Sequence, residues 1–510
     1  MCCHGKIHPM AMTIETLPDD PIALKKIILE LQKKNDFLME QFRLARQKRF
    51  GASSEASPVQ GDIFNEAEQA ADSVEEAPET KEIASHTRKK PVRAPLPKDL
   101  PRETRIIDLP EAEKVCDCCQ GPLHEMGNET REQLAFVPAS IKVIETIRLK
   151  YSCRACEKDN TTTTVKIAPP PASPIPKGIA TASLLAHIII NKYQYALPLY
   201  RQETLFKNYG IDLSRKTMAD WVIKCASLAQ PIVHRLKYYL LSERIIHADE
   251  TPLKVIESDK QKNYMWVYCT GTDSPIPEAV AKNIVLYDFQ NSRGAVCPQN
   301  YLGNYRGYLQ VDGYSAYEST QAELVGCMAH ARRKFVEAQK AQPKGKTGKA
   351  DWALNHIQKL YALESQIKEM SAEQKLIQRQ QHAAPLLIKF KDWLDQSLLT
   401  VAPKSALGMA LVYCANQWTK LIRYVEDGRL SIDNNRAERA IKPFVIGRKN
   451  WLFSNTTSGA NASAVLYSLI ETAKANGIEP LSYLRRLFDE LPRRDEQDDI
   501  DDLMPWNFKG

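Results

Sequence analysis

Two short apolar runs in this chain each end on an aspartate: Ile245-Ile246-His247-Ala248-Asp249 and Gly307-Tyr308-Leu309-Gln310-Val311-Asp312. Far downstream, a polar helix start, Asp433-Asn434-Asn435-Arg436-Ala437-Glu438-Arg439, carries a glutamate. Carboxylates delivered by two strand ends and a helix start suit hard divalent ions such as Mg²⁺ or Mn²⁺, which take oxygen ligands. Two such ions about 3.5–4 Å apart can clamp both the attacking and the leaving oxygen of a phosphodiester. Any one of these acids is also what an ordinary strand end or helix cap carries, so the chemistry requires Asp249, Asp312 and Glu438 together. Glu471 is a rival third acid. Glu250 points to the opposite sheet face if its strand continues, because strand side chains alternate.

A second chemistry is written in cysteine. Cys116-x-x-Cys119 and Cys153-x-x-Cys156 each place two thiols on one tight turn, and two such knuckles close a tetrahedral Zn²⁺ site. Between them Ile141, Val143, Ile147, Leu149 and Tyr151 keep one parity, as a strand does. Cys118 and His124 lie outside this ligand set. A further pair, Cys327-x-x-His330, precedes Arg332, Arg333 and Lys334. It supports the acidic site, binds DNA or forms a structural strand-to-helix turn; two ligands alone do not complete a zinc site.

These residues have to be positioned by several domains, which 510 residues and 43% hydrophobic content permit. The formal charge of +7 is modest for the length, so partners are inferred from where charges sit. Twelve cysteines without a secretory leader point to reduced thiols and metal ligation rather than to a disulfide framework. No apolar run approaches the roughly 20 residues of a membrane helix, so a cytoplasmic protein, nucleoid-associated when bound to DNA, is expected. Met10 and Met12 are alternative starts.

The expected fold class is a multidomain α+β chain. Residues 21–50 read as a coiled-coil helix: Leu24, Leu31, Leu38 and Ala45 recur every seven residues, with Ile28, Asn35 and Phe42 between them. An amide at that inner position fixes register in two-stranded coils, so a homo-oligomer through residues 24–45 is expected. Residues 52–100, rich in Ser, Glu, Ala and Pro, read as a flexible linker. A zinc ribbon-like module follows at 101–168, then a helical, helix-turn-helix-like DNA-binding region at 177–240. There Ser214 suits a helix cap and Arg215, Lys216 and Thr217 open the helix that would meet a DNA groove. From 243 to 480, five strand-like runs with Asp249 on the first and Asp312 after the fourth match a ribonuclease-H-like α/β plan. A helical insertion at 331–430 precedes the Glu438 helix, and 481–510 form a C-terminal tail.

Several strings together carry a family resemblance. His247-Ala248-Asp249-Glu250-Thr251, Gln310-Val311-Asp312-Gly313-Tyr314, Cys327-Met328-Ala329-His330-Ala331-Arg332-Arg333, Asp433-Asn434-Asn435-x-x-Glu438-Arg439 and Gly447-Arg448-Lys449-Asn450-Trp451-Leu452-Phe453 resemble insertion-sequence 66 family transposases. So do the zipper end Arg49-Phe50-Gly51 and the tail Leu503-Met504-Pro505-Trp506. The resemblance implies a DDE transposase that cuts and joins the ends of its own mobile element, on double-stranded DNA ends and target. It implies Mg²⁺ (or Mn²⁺) on Asp249, Asp312 and Glu438, structural Zn²⁺ on the four knuckle cysteines, and small accessory proteins of the same element. Arg439, Lys442, Arg448 and Lys449 join Arg215, Lys216 and Thr217 as DNA-contact candidates. One departure is that many DDE enzymes place a basic residue seven positions after the glutamate, where this chain has Val445. A non-catalytic DNA-binding regulator and a structure-specific nuclease are the competing readings.

Overall fold

The computed structural model describes residues 20–50, 141–152, 165–260, 262–271, 282–342, 348–495 and 497–508. The chain divides into two compact units, Glu76–Ala168 and the remainder, Met1–Glu75 with Pro169–Gly510.

In the smaller unit, β1 (Lys150–Ser152) pairs antiparallel with β2 (Val165–Ile167). The one-parity run from Ile141 to Tyr151 is a strand only at its end, since residues 141–149 have no regular structure and its apolar side chains are exposed. The ladder runs from Ser152↔Val165 to Lys150↔Ile167 and stops there. Alternation makes a strand only where a partner offers backbone groups. Cys116, Cys119, Cys153, Cys156, Cys118, His124 and the linker at 52–100 lie outside the described residues.

The larger unit opens with α1 (Pro21–Phe50). Asp20 caps it, its carboxylate accepting from the Ile22 and Ala23 N–H groups, and Pro21 fills the first turn. Ile28, Leu31, Leu38 and Phe42 are exposed along it. Next come α2 (Ala182–Tyr193), α3 (Leu199–Asn208), α4 (Arg215–Leu228) and α5 (Gln230–Ser242). Leu185, Ile188 and Ile189 of α2 and Met218, Trp221 and Cys225 of α4 share one core. At the start of α4 the Ser214 hydroxyl accepts the Thr217 N–H at 3.1 Å, leaving Arg215 and Lys216 exposed.

The same core continues into a five-stranded sheet of β3 (Ile245–Leu253), β4 (Asn263–Cys269), β5 (Val285–Gln290), β6 (Tyr308–Gln310) and β7 (Glu323–Val325). Their order is β5-β4-β3-β6-β7; the first three are antiparallel, and β6 and β7 run parallel to β3. The helices α12 (Asn435–Trp451) and α13 (Thr457–Ala475) pack against it. On α13 the Ser468 hydroxyl accepts the Tyr287 N–H, and the Thr472 hydroxyl both accepts from and donates to Val285. Side chains thereby satisfy the outer edge of β5, which would otherwise be open to pairing with another chain.

The short helix α6 (Val296–Leu302) leads from β5 to β6. Between β7 and α12 lies a helical layer with its own core around Phe335, Tyr361, Phe390 and Trp418. Its helices are α7 (Met328–Ala341), α8 (Lys349–Gln366), α9 (Ala372–Gln378), which passes through a π turn into α10 (Ala384–Thr400), and α11 (Ala406–Leu421). The last stretch is packed rather than trailing. In α14 (Pro480–Glu490), Tyr483, Leu484, Leu487 and Phe488 are buried at helical spacing, and Asp501 accepts from Arg235 Nε and the Tyr239 hydroxyl, both at 2.6 Å.

Candidate active site

Parallel pairing sets His247 of β3 opposite Gln310 of β6. Two residues further along stand Asp249, still on β3, and Asp312, just past the end of β6, close enough for the charge of Asp312 to act on Asp249. The Glu250 N–H donates to Asp249 Oδ1 at 2.8 Å, and the Tyr314 N–H donates to Asp312 Oδ1 at 2.9 Å. That second bond needs the chain to turn back at once. Gly313 supplies the turn with φ +94°, a conformation side chains rarely adopt, and a Cβ there would press on Gln417 and the Tyr413 hydroxyl. The Tyr413 hydroxyl donates to the Asp312 carbonyl at 2.7 Å, tying the loop to α11.

Glu438 enters from the first turn of α12, and its position is fixed by the polar segment before it. Asn434 Nδ2 donates to the carbonyl of Ala248, one residue before Asp249, at 2.8 Å. Asn434 also pairs with His247 Nδ1, and its N–H donates to Cys327 Sγ at 3.2 Å. Gln310 Nε2 donates to the Ser431 carbonyl at 2.6 Å, and the Met328 N–H donates to the Ile432 carbonyl at 3.0 Å. Asp433 accepts from the Asn435 backbone and side chain and from the Tyr361 hydroxyl. Residues 431–434 therefore lock β3, β6, α7 and α12 together at one point. The signal in the sequence was the density of Asp and Asn at 433–435, where three polar side chains are buried rather than solvated.

Asp249 and Glu438 are short of positive charge. Burial first, then the like charges of Glu250, Asp312 and Glu438, push Asp249 well above the usual carboxylate range. Glu438 is pushed up to about 7, chiefly by burial, with Asp433 and Asp312 adding to it against the opposing pull of Arg333. A helix first turn favours a carboxylate, but here burial outweighs that benefit. Both Glu438 carboxylate oxygens are buried without a hydrogen-bond donor. His330 Nδ1 lies 3.5 Å from Oε1, and Arg333 Nη2 lies 4.0 Å from Oε2. His330 is itself lowered to about 4, mostly by burial and then by Arg333, so it is a neutral imidazole at pH 7 and does not balance the acids. Orphaned carboxylate oxygens among mutually repelling acids fit a hard divalent ion, which supplies the missing charge and takes oxygen ligands.

The other two acids are differently placed. Glu250 accepts from Arg293 Nε and Nη2 and from the Tyr317 hydroxyl. Glu471, on α13, accepts from Lys474 Nζ at 2.9 Å, and the charges that act on it are Lys474 and Arg436. Of the basic candidates, Arg448 is tied to the end of β3, where its Nη1 donates to Thr251 Oγ1 and the Pro252 carbonyl. Lys449 is exposed, and Arg439, Lys442 and Thr217 are half-buried. Cys327, at the end of β7, and His330, in the first turn of α7, stand beside Glu438. Among the described residues no helix is long and apolar enough to cross a membrane.

Comparison with known proteins agrees along the chain. The family model "Transposase IS66 family" matches residues 177–462, and "IS66 C-terminal element" matches 468–506. "Zinc-finger binding domain of transposase IS66" matches 113–157, and "Transposase C of IS166 homeodomain" matches 37–105. Uncharacterized protein y4jD of Sinorhizobium fredii is 33% identical over 98% of this chain and 99% of its own length. Uncharacterized proteins y4hP and y4qI of the same organism are 32% and 33% identical, over 84% and 82% of this chain and 79% of each relative. No solved structure gives a significant match. With a zinc-finger and a leucine-zipper-like module beside the transposase domain, the chain belongs to the IS66 family of transposases.

Proposed function

We propose that this chain is the catalytic transposase of its insertion sequence, acting on the element's DNA ends by metal-dependent strand cleavage and strand transfer. The observation that carries the reading is that Asp249 on β3, Asp312 just after β6 and Glu438 in the first turn of α12 come close enough for their charges to act on one another, with burial and that repulsion raising Asp249 and Glu438. The strand order, 3-2-1-4-5 when the sheet is counted in chain order, supports a ribonuclease-H-like catalytic domain.

In this reading Asp249, Asp312 and Glu438 hold Mg²⁺ or Mn²⁺. Bound there, such ions activate water or a DNA 3′-hydroxyl and neutralise charge developing on the phosphodiester. The chain's own contribution is to fix the acids beforehand: the Glu250 and Tyr314 N–H groups each hold one aspartate oxygen, and Asn434 sets the height of Glu438 against Asp249. Arg333 on α7 and Arg439, Lys442 and Lys449 along α12 offer positive charge to the DNA backbone, and Arg215 and Lys216, with the hydroxyl of Thr217, meet it at the start of α4. Cys116, Cys119, Cys153 and Cys156 hold a structural Zn²⁺. The exposed seam of Ile28, Leu31, Leu38 and Phe42 pairs two chains, so that each DNA end meets its own active site. Small proteins of the same element assist, and the work takes place in the bacterial cytoplasm.

The test is a supercoiled plasmid carrying the element's ends, incubated with the full chain and Mg²⁺. Joined products are expected. Cleavage without joining would make the chain a nuclease, and binding without cleavage would make it a regulator; either overturns the proposal.

A further inference from the structure

Cys327, His330 and Glu438 are, among the described residues, a group of metal-ligating side chains whose donor atoms all lie within 4.8 Å of one another. We propose that they form a separate site for a borderline-soft divalent cation, Zn²⁺ above all, whose occupation withdraws Glu438 from Asp249 and Asp312 and switches cleavage off. The inhibitory half rests on the reading of Glu438 as a catalytic acid; the binding half does not.

The donor set argues for the ion. One sulfur, one imidazole nitrogen and one carboxylate oxygen make a three-ligand zinc site with a fourth position open to water. Mg²⁺ takes oxygen and has little use for a thiol or imidazole, so the two sites share Glu438 and differ in the ion they select. Geometry argues for the site. Cys327 caps α7 and His330 lies three residues on, which puts both on one turn facing Glu438 from the first turn of α12. His330 Nδ1 and Glu438 Oε1 are 3.5 Å apart. Two ligands at about 2.0–2.1 Å from a tetrahedral ion stand roughly 3.3 Å apart, so they close on an ion with a small shift.

One further feature points to a ligand. His330 Nδ1 and both Glu438 oxygens are buried without hydrogen-bond partners, although the imidazole is 24% exposed and so reachable from solvent. Cys327 Sγ accepts the backbone N–H of Asn434 at 3.2 Å, which holds it beside Glu438. The thiolate is the form that binds metal. A coordinating ion draws off the thiol proton, so occupation releases a proton to solvent.

The experiment uses the full chain with Co²⁺ as the spectroscopic probe and Zn²⁺ as the inhibitor. Wild type should bind one more Co²⁺ per chain than Cys327→Ser, with a stronger thiolate-to-metal absorption band; the four knuckle cysteines contribute equally to both. His330→Ala, at a partly exposed position, repeats the comparison should the serine variant fail to fold. In cleavage assays at fixed Mg²⁺, each variant is scored against its own zinc-free rate, and the Zn²⁺ concentration for half inhibition should rise at least about tenfold in the variants. Equal Co²⁺ stoichiometry and spectra in wild type and both variants would overturn the site. Extra Co²⁺ with unchanged zinc inhibition would overturn the switch. Full activity of Glu438→Gln would overturn the catalytic reading and leave the Co²⁺ count standing.

Discussion

Asp249 and Glu250 are neighbours on β3, yet the two sides of that strand treat a carboxylate in opposite ways. Glu250, with its side chain 1% exposed, meets the Arg293 guanidinium at 2.9 and 2.6 Å and the Tyr317 hydroxyl at 2.6 Å. Burial still raises its pKa, but Tyr317 and Arg293 pull it back. On the other side, burial pushes Asp249 far up and the nearest charges add to the shift instead of relieving it. A buried carboxylate that has found its cation is part of the architecture. One left among like charges awaits a cation from outside. Glu471 belongs with Glu250, because Lys474 already answers it.

The largest effect that can break this comparison comes from removing the charge on each side in turn. Asp249→Asn, Asp312→Asn and Glu438→Gln should each lower strand cleavage by on the order of 10³-fold or more while DNA binding persists. Glu250→Gln should instead lower stability, by about 1–3 kcal/mol, because it leaves Arg293 without its partner. That figure sits below the range for fully buried pairs because Arg293 is 42% exposed. Cleavage per folded molecule should survive. Denaturation and single-turnover cleavage on the same preparations decide the matter: a folded but inactive Glu250→Gln would erase the distinction between the two faces.

A second effect sharpens the comparison through pH. Glu438, at about 7, must lose its proton to hold a divalent ion, whereas an ordinary glutamate has lost it well below that pH. Apparent Mg²⁺ affinity should therefore fall by about tenfold or more per unit as the pH drops below about 7. His330, at about 4, is neutral throughout that range and does not offset the trend. Asp249, raised as well, can only steepen it. Isothermal titration of Mg²⁺ between pH 5.5 and 8 checks this, and a flat profile would mean that the acids are already balanced.

Much of the framework was legible because short-range patterns dictated it. The strands from β3 to β7 stand where short apolar runs end at turns, and α1 follows a heptad that its own sequence states. The run from Ile141 misled for the converse reason: alternation says which face a strand would show, and nothing about whether a partner is there. Contacts that close the candidate site are longer in range. Cys327 and Glu438 are separated in sequence by the whole helical layer from α7 to α11, so no local signal could place them together. Asn434 stands at the N-cap of α12, yet its side chain makes no capping bond and spends its hydrogen bonds on β3. Asn434→Ala should cost about 1–3 kcal/mol, since it strands the buried Ala248 carbonyl, and should slow cleavage further by releasing Glu438 from its register with Asp249. A loss of cleavage no greater than the loss of folded protein would reduce Asn434 to a purely structural residue.

The smallest effect separates two neighbouring cations on α12 by the same logic of satisfied against unsatisfied charge. Arg448 is tied to Thr251 Oγ1 and the Pro252 carbonyl at the end of β3, whereas Lys449 is exposed. A cation that neutralises one DNA phosphate releases condensed counterions, so its removal should lower the slope of log affinity against log salt by about 0.9. Lys449→Ala is expected to show that change with unaltered stability, and to weaken binding alike on element ends and on unrelated DNA. Arg448→Ala is expected to leave the slope alone and to destabilise the fold by about 1–2 kcal/mol, as the loss of internal hydrogen bonds does. Binding measured across a salt series, beside thermal denaturation, distinguishes them. A lowered slope for Arg448→Ala with none for Lys449→Ala would mean that Arg448 exchanges its bonds on β3 for phosphate when DNA arrives, and that the compensated cation, not the free one, is the contact.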